Sequence, residues 1–322
     1  MTTGRIGVGF IGTGNISSAY LRAITGQENM AGFPVLDIKG LADMRPEASE
    51  ARAAEFGLKS MSIDEMLASS DIQLIVNLTI PRAHVDVGLR ALAAGKHVYS
   101  EKPLGINFAE GRKLLDAANK AGLRIGSAPD TFLGGSHQQA RAVVDSGALG
   151  QLIGGTGFFM CPGHESWHPD PAFYYDIGGG PVLDMGPYYI TDLVNLLGPV
   201  ARVSAMASRL RSQRTVLSEP KKGQVMDVKV DTHATASLGF ANGAIARHLS
   251  LPANQRHLLA ADRGIRDDDV ALLAATDHHA VRLQVEAQDL LATTEENQLW
   301  HRRPPVLGPG RGRRLLREQK PR

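Results

Sequence analysis

The sequence predicts an α/β protein in which a doubly wound parallel sheet is followed by a second, strand-rich domain. Up to residue 127, short apolar strands alternate with helices, which is typical of a parallel sheet covered on both faces. From Val200 onward, strand-like segments follow one another, and the turn Ala241-Asn-Gly243 joins two of them as a hairpin. We expect domains over residues 1–127 and 128–300, followed by a basic, disordered tail over residues 301–322.

The composition is that of an ordinary globular chain of two domains. Its 322 residues are 43% hydrophobic and 21% charged, with a net charge of +2. The basic tail has no interleaved aromatic residues, so we expect no nucleic-acid partner. The single cysteine, Cys161, excludes an internal disulfide and is typical of a reducing compartment. Because no signal-peptide core and no run of ~18 apolar residues occurs, we expect a cytoplasmic protein without a membrane partner.

The first strand leads into a glycine turn that is typical of dinucleotide binding. The apolar run Ile6–Ile11 is followed by Gly12-Thr-Gly14-Asn15-Ile16 and then by apolar residues at helical spacing. Gly12 would allow the tight turn, and Gly14 would let the backbone approach a pyrophosphate at the helix N-terminus. We expect Asn15 and Ile16, which complete the turn, to contact the cofactor as well.

An acidic residue, Asp43, ends the second predicted strand, Val35–Ala42. A carboxylate at this place can accept both hydroxyls of the adenosine ribose and would repel a 2′-phosphate, so NAD is favoured. Arg45 lies two residues further on and could serve a phosphate, so NADP stays possible. A second interpretation is that Asp43 caps the helix that Pro46 opens, and the two roles are compatible.

The loop after the third strand is also predicted to lie at the cofactor. The strand Ile72–Val76 precedes Thr79-Ile-Pro81, and His84 opens the next helix. We expect Thr79 and Pro81 to line the cofactor site. His84 is most simply a polar residue on the first turn of its helix, and it faces the cofactor only if this loop does.

The strand His97–Ser100 ends at Glu101-Lys102-Pro103, on which the functional interpretation depends. Pro103 stops the strand, which leaves two opposite charges at the carboxyl end of a parallel strand, where such sheets bind ligands. Lys102 can reach a polar atom of a substrate, while Glu101 can hold the lysine or contact a cofactor. The alternative is a surface ion pair at a junction of strand and loop.

Aromatic residues are concentrated in residues 151–189. Within this segment, the polar, proline-containing loop Gly163–Pro169 is predicted to bring Trp167 and His168 to a ligand. An aromatic face beside polar groups suits a carbohydrate ring. His164 and His168 are four residues apart, but no further ligands complete a metal site, and no metal is predicted.

Together these motifs resemble the family of glucose-fructose oxidoreductase, inositol dehydrogenase and rhizopine-catabolism proteins, abbreviated Gfo/Idh/MocA. The resemblance covers about residues 4–250 and includes the stretches Asp145–Gly150 and Gly178–Gly186. It implies an NAD(P)-dependent oxidoreductase with an N-terminal Rossmann domain and a C-terminal α+β domain built on a large open, mostly antiparallel sheet. It also implies hydride transfer between nicotinamide and a hydroxyl of a sugar or polyol. The free sheet face would be buried in a homodimer or homotetramer.

By the same resemblance, the catalytic residues would be Lys102, Asp184 and Tyr188, with Tyr189 beside the substrate. Many relatives have a histidine where Tyr188 stands. An unperturbed tyrosine has a pKa near ~10 and is a poor base, but we expect the Lys102 ammonium to lower that pKa. Lys102 would hydrogen-bond the reacting oxygen, Tyr188 would exchange its proton, and Asp184 would orient the substrate or the lysine. The simpler interpretations are a helix N-cap for Asp184 and a half-buried aromatic for Tyr188.

After about Ala253 the resemblance fades, and we hypothesise that this end of the chain is truncated or altered relative to its relatives. Two other functions therefore stay open. One is an NAD-dependent hydrolase or isomerase that oxidises its substrate transiently. The other is a catalytically impaired nucleotide-binding protein.

Overall fold

The first half of the chain forms a parallel sheet. The computed structural model describes residues 4–26, 32, 34–252 and 280–285. The strands of this sheet are β1 (Ile6–Ile11), β2 (Leu36–Ala42), β3 (Leu74–Asn77), β4 (His97–Ser100) and β5 (Ile125–Ser127), in the order β2-β1-β3-β4-β5. Every neighbouring pair is parallel. Outside β2, Ser60 forms a single parallel bridge to Leu41.

Helices cover both faces of this sheet, as the alternating pattern predicted. They are α1 (Asn15–Thr25), α2 (Pro46–Phe56), α3 (Ile63–Ala68), α4 (His84–Ala93) and α5 (Phe108–Ala121). In β3, Ile75 packs in a buried cluster with Leu114 of α5. The next residue, Val76, packs in a second cluster with Leu21 of α1. Successive side chains of β3 are therefore buried on opposite faces, as in a doubly wound sheet.

The second half forms a larger mixed sheet. Its elements are α6 (Gly135–Asp145), β6 (Leu152–Cys161), α7 (Ala172–Tyr175), α8 (Gly180–Asp184), α9 (Gly186–Leu197), β7 (Val200–Ser208), β8 (Gln213–Thr215), β9 (Val225–Asp227), β10 (His233–Phe240), β11 (Ile245–Pro252) and β12 (Ala280–Val285). The order is β12-β6-β11-β10-β7, in which only β6 and β11 are parallel neighbours. β8 and β9 pair separately. The predicted fold class is thereby confirmed, including the hairpin of β10 and β11.

Helix α9 covers one face of this second sheet. Leu193 and Leu197 of α9 pack with Leu238 and Phe240 of β10 in a buried cluster. On the opposite face, Met206 of β7 is 78% exposed. The alternation of strand side chains thus leaves one face of the sheet open to solvent within the described residues.

Some predictions fall on residues that lie outside the described ranges. Except for β12, these include everything after Pro252, and with it the hypothesised altered end and the tail of residues 301–322. The domain limits at residues 127 and 300 stay predictions. No helix among the described residues is long and apolar enough to span a membrane.

Candidate functional site

An ion pair between the two halves of the chain is the centre of the candidate site. Lys102 follows β4, and its Nζ lies 2.7 Å from Oδ1 and 2.8 Å from the main-chain oxygen of Asp184, at the end of α8. The two side chains are only 14% and 13% exposed. Solvent and salt screen such a pair less than a surface pair. The ammonium is therefore held firmly at the carboxyl end of β4.

Glu101 supports this lysine through the main chain. Its Oε1 accepts a hydrogen bond from the Tyr20 hydroxyl of α1 at 2.7 Å, and its Oε2 accepts one from the Lys102 main-chain N–H at 2.9 Å. The alternative of a surface ion pair between Glu101 and Lys102 is wrong, since the Lys102 ammonium pairs with Asp184. Glu101 instead ties the Lys102 loop to the helix that follows the glycine turn.

Tyr188, near the start of α9, lies beside the lysine. Lys102 Nζ is 5.4 Å from the centre of the Tyr188 ring. Burial raises the pKa of Tyr188, and three carboxylates add to this effect, those of Glu101, Asp184 and Asp130. The expectation that Lys102 lowers this pKa is wrong. Asp184 already balances the ammonium, and the carboxylates around the phenol disfavour a phenolate.

His164 completes the arrangement, although the sequence pattern suggested it only as a metal ligand. Its Nε2 lies 3.4 Å from Oδ2 of Asp184, and its ring stacks on that of Tyr174 with 3.8 Å between centres. Burial disfavours the Asp184 carboxylate, but the contacts with His164 and Lys102 outweigh this and lower the pKa of Asp184. In the part of the chain that the structure describes, no group of three possible ligands could hold a metal ion.

A buried network fixes the loop that carries His164. The Glu165 carboxylate, 4% exposed, pairs with Arg214 of β8 and accepts a hydrogen bond from the Tyr175 hydroxyl. The main-chain N–H of Leu217 donates to the Glu165 main-chain oxygen at 2.8 Å. Removing one partner of a buried ion pair is costly. The loop and the β8–β9 hairpin are consequently held as one unit.

Two of the three predicted substrate residues lie next to His164. Trp167 is 62% exposed, and its ring centre is 5.0 Å from that of His164. His168 contacts Trp167 edge-on, and burial lowers the pKa of His168. Tyr189, by contrast, is 2% exposed and packs against Phe159 of β6. Its predicted contact with the substrate is corrected to a place in the core, because this position on α9 turns toward the sheet.

The glycine turn after β1 keeps open the space that a dinucleotide needs. Gly12 has a φ of +100°, and a Cβ there would lie 2.6 Å from the Leu78 carbonyl, so only glycine fits. At Gly14 an added Cβ would meet nothing within 4 Å. Asn15 and Ile16 form the exposed first turn of α1. The N-cap residue of this helix is Gly14, so no side chain of the N-cap accepts a hydrogen bond from the N–H groups of the first turn. These N–H groups suit a pyrophosphate.

Asp43 is oriented toward this turn. Its Oδ2 accepts hydrogen bonds from the Thr13 main-chain N–H at 2.8 Å and hydroxyl at 3.0 Å, and its Oδ1 accepts from the Arg45 N–H at 3.0 Å. Burial disfavours the charge, but these hydrogen bonds outweigh it and lower the pKa of Asp43. Arg45 itself is the N-cap residue of α2, and its side chain is exposed. Asp43 is therefore an ionised acceptor beside the glycine turn.

The loop after β3 is held by its own residues. The Thr79 hydroxyl donates to Asn77 Oδ1 at 2.6 Å, and Pro81 opens a short 3₁₀ turn. His84 is 1% exposed, with Nδ1 2.7 Å from the Pro103 oxygen and Nε2 2.8 Å from the Thr79 oxygen. Both ring nitrogens are engaged within the protein. The predicted contact of His84 with the cofactor is corrected to support of this loop.

Comparison with known proteins places these features in one family. Residues 6–128 match the model of an oxidoreductase family with an NAD-binding Rossmann fold, and residues 137–255 match the GFO/IDH/MocA C-terminal domain. The resemblance inferred from the motifs is confirmed. NAD is the cofactor that the N-terminal match specifies.

The curated relatives are oxidoreductases. A dTDP-3,4-didehydro-2,6-dideoxy-alpha-D-glucose 3-reductase of Streptomyces violaceoruber is 28% identical over 72% of this chain and 72% of its own. An uncharacterised oxidoreductase of Schizosaccharomyces pombe is 31% identical over 52% of this chain. The match covers 45% of that relative's own length and 50% of the length of a second uncharacterised oxidoreductase of the same organism, so the chain spans about half of each. A levoglucosan dehydrogenase solved with NADH and L-sorbose has the same fold, with a TM-score of 0.68 at 23% identity over 78% of this chain and 68% of its own.

Proposed function

Because the chain belongs to the GFO/IDH/MocA oxidoreductase family, we propose that it transfers hydride between NAD and a hydroxyl-bearing carbon of a sugar or polyol. The observation that carries this proposal is the Lys102–Asp184 pair, 2.7 Å apart, which joins the two halves of the chain. It holds a cation beside the carboxyl end of β4. In a parallel sheet, that edge is where the ligand crevice lies.

The glycine turn and Asp43 fit NAD. Gly14 leaves space for the pyrophosphate. Asp43 Oδ1 accepts one hydrogen bond from within the protein and keeps capacity for a ribose hydroxyl. When NAD(H) is bound, its nicotinamide accepts or supplies the hydride. The exposed Arg45 side chain makes NADP the second cofactor to test.

Lys102 is the residue to which we assign the proton exchange. Two of its three N–H donors go to Asp184, which leaves the third for the reacting oxygen. The Tyr188 phenol, with its raised pKa, stays protonated and donates a hydrogen bond to the same oxygen. Asp184 orients the lysine.

The rim of the site favours a carbohydrate ring. Trp167 presents an exposed aromatic face, and His168 lies beside it with Nδ1 accepting from the Asp170 N–H at 3.0 Å. Apolar C–H faces of a sugar pack on such a ring, while its hydroxyls reach the polar groups. The names of three relatives, a dTDP-sugar reductase, levoglucosan dehydrogenase and inositol 2-dehydrogenase, agree with this class of substrate.

The setting that we propose is a cytoplasmic homodimer or homotetramer. The open face of the second sheet, with Met206 exposed at 78%, is the surface that a second copy would cover.

The test is a screen of sugars and cyclic polyols with NAD and with NADP, read by the absorbance of the reduced cofactor. We expect turnover with NAD and a loss of about 10³-fold in Lys102→Met, because a general acid–base group contributes on this order. Lys113→Met, on the exposed side of α5, is the matched control and keeps wild-type activity.

Other outcomes would contradict the proposal. Unchanged turnover in Lys102→Met removes the assigned role of the lysine. Consumption of substrate without net NADH indicates a hydrolase or isomerase that oxidises its substrate transiently. Binding of NADH with no turnover across the screen indicates a nucleotide-binding protein without this activity.

A further inference from the structure

His164 makes a contact for which the assigned chemistry has no role yet. Asp184 uses Oδ1 on Lys102 at 2.7 Å, and its Oδ2 faces Nε2 of His164 at 3.4 Å. The His164 side chain is 8% exposed, and its Nδ1 has no hydrogen-bond partner among the described residues. A buried polar atom without a partner is costly. The structure therefore retains an imidazole at this place against a free-energy cost.

The surroundings of His164 determine which nitrogen carries the proton. Tyr174 stacks on one face of the ring, and Trp167 and Phe173 lie near it. Because Nε2 faces a carboxylate oxygen, the tautomer that carries its proton on Nε2 is favoured, since this N–H can donate a hydrogen bond to that oxygen.

Among the titratable groups near His164, Asp184 is the one that can accept a hydrogen bond from its Nε2–H. His168 lies on the same loop, and the Glu165 carboxylate is occupied by Arg214 and Tyr175. Lys102 faces Asp184 from the other half of the chain.

We propose that His164 is a positioning residue that acts through Asp184. Its Nε2–H orients the carboxylate and draws part of its charge away from Lys102. His164 thereby sets how readily Lys102 exchanges a proton with the reacting oxygen. This inference rests on the proposed function, whose catalytic lysine it concerns.

The proton step shows why the charge on Asp184 matters. In oxidation, the substrate carbon loses a hydride to the nicotinamide, and its hydroxyl proton passes to the Lys102 amine, which becomes an ammonium. In reduction, the ammonium returns that proton as the carbon gains the hydride. Without the hydrogen bond from His164, the full charge of Asp184 acts on Lys102 and binds the ammonium more tightly. The neutral amine then forms only at higher pH.

Two variants separate positioning from packing. His164→Phe keeps a ring on Tyr174 and removes the donor, whereas His164→Gln places an amide N–H near the former Nε2. We expect the pH midpoint of kcat for oxidation to rise by about one unit in His164→Phe, as the loss of one charge-assisted hydrogen bond implies. In His164→Gln, the wild-type midpoint returns. If the phenylalanine variant does not fold, His164→Leu replaces it, because leucine adds no bulk and also lacks the donor. We expect the same rise in the pH midpoint of kcat.

A substrate-free measurement keeps this test independent of the proposed activity. Titration of ¹³C-labelled lysine by NMR, with the Lys102 signal assigned from Lys102→Met, reports its protonation directly. The inference holds if that midpoint also rises in the variant without the donor. An unchanged midpoint, or an equal loss of kcat at every pH in both variants, overturns it. Absence of turnover in the wild-type protein, with the NMR shift present, contradicts only the proposed function.

Discussion

At Tyr188, the surroundings decide which chemistry the side chain can perform. A phenol in water has a pKa near ~10, and burial together with nearby carboxylates raises the pKa of Tyr188 further. Loss of its proton would place a second negative charge near Asp184. In the proposed reaction it therefore donates a hydrogen bond to the oxygen that gains negative charge.

We predict that Tyr188→Phe lowers kcat by about 100-fold, the effect of removing one preorganised donor. The affinity for NADH, measured by fluorescence titration, stays unchanged because the ring remains. The pH dependence of kcat also stays unchanged, since the phenol keeps its proton over the working range. An unaltered kcat would exclude the residue from the reaction, and the loss of one limb of the pH profile would make Tyr188 the proton-exchanging group.

The sequence predicts residues that sit in local motifs better than residues that meet only in the fold. Gly12 and Asp43 follow strands, and their positions beside the turn are as expected. His164 approaches Asp184 from a distant loop, so no spacing in the chain marks the contact. The direction of the Tyr188 pKa shift was mispredicted for the same reason: it depends first on burial in the fold and then on carboxylates from three different segments.

Among the elements, helices α6 and α9 share a buried acid–base contact. Asp192 of α9 is 2% exposed, and its Oδ2 lies 3.1 Å from Nδ1 of His137 on α6. Burial raises the pKa of Asp192, and the His137 contact only partly opposes this. A carboxyl with a raised pKa in the folded state contributes stability at low pH that is lost as pH rises through that pKa.

We predict that Asp192→Asn stabilises the protein at pH near 8, because burial disfavours the charge of the carboxylate and the amide carries none. The gain shrinks on acidification, as the wild-type carboxyl takes up its proton. Thermal unfolding of both proteins as the pH is lowered measures it. Asp116→Asn, in an exposed pair on α5, is the control and shows no comparable trend. A loss of stability at pH 8 would mean that the His137 contact outweighs the burial cost.

The sequence pattern does not predict the direction in which neighbouring strands pair, nor pairings that involve a single residue. The apolar run of β11 predicts a strand, but its parallel pairing with β6 depends on where the chain returns. Ser60 makes its bridge to Leu41 with no strand-like run around it. Side-chain alternation defines the faces of a strand, while neighbour and direction come from packing of the whole sheet.

At the scale of the whole molecule, the second sheet has one face that is open to solvent in the described part of the chain. Met206 and Thr235 lie opposite each other on β7 and β10, and both side chains are exposed. Their burial by a second copy would continue the packing that α9 provides on the other face.

We predict that the wild-type protein is a dimer or tetramer and that Met206→Glu lowers its oligomeric state, from dimer to monomer or from tetramer to dimer, measured by light scattering after size exclusion. A buried, unpaired carboxylate at the centre of the interface is the physical reason. Phe108→Glu places the same charge on another large exposed side chain, 86% exposed at the start of α5, and leaves the assembly unchanged. An oligomeric state that Met206→Glu leaves unchanged would place the interface elsewhere.

The ion pair between Lys102 and Asp184 makes each half of the chain dependent on the other. The N-terminal half supplies the ammonium, and the C-terminal half supplies both the carboxylate that aims it and the aromatic rim. In a chimera that carries the second half of a related protein, we therefore expect the substrate preference to change and the nucleotide-binding turn to stay the same. Such a chimera can be active only if its second half supplies a carboxylate that pairs with Lys102.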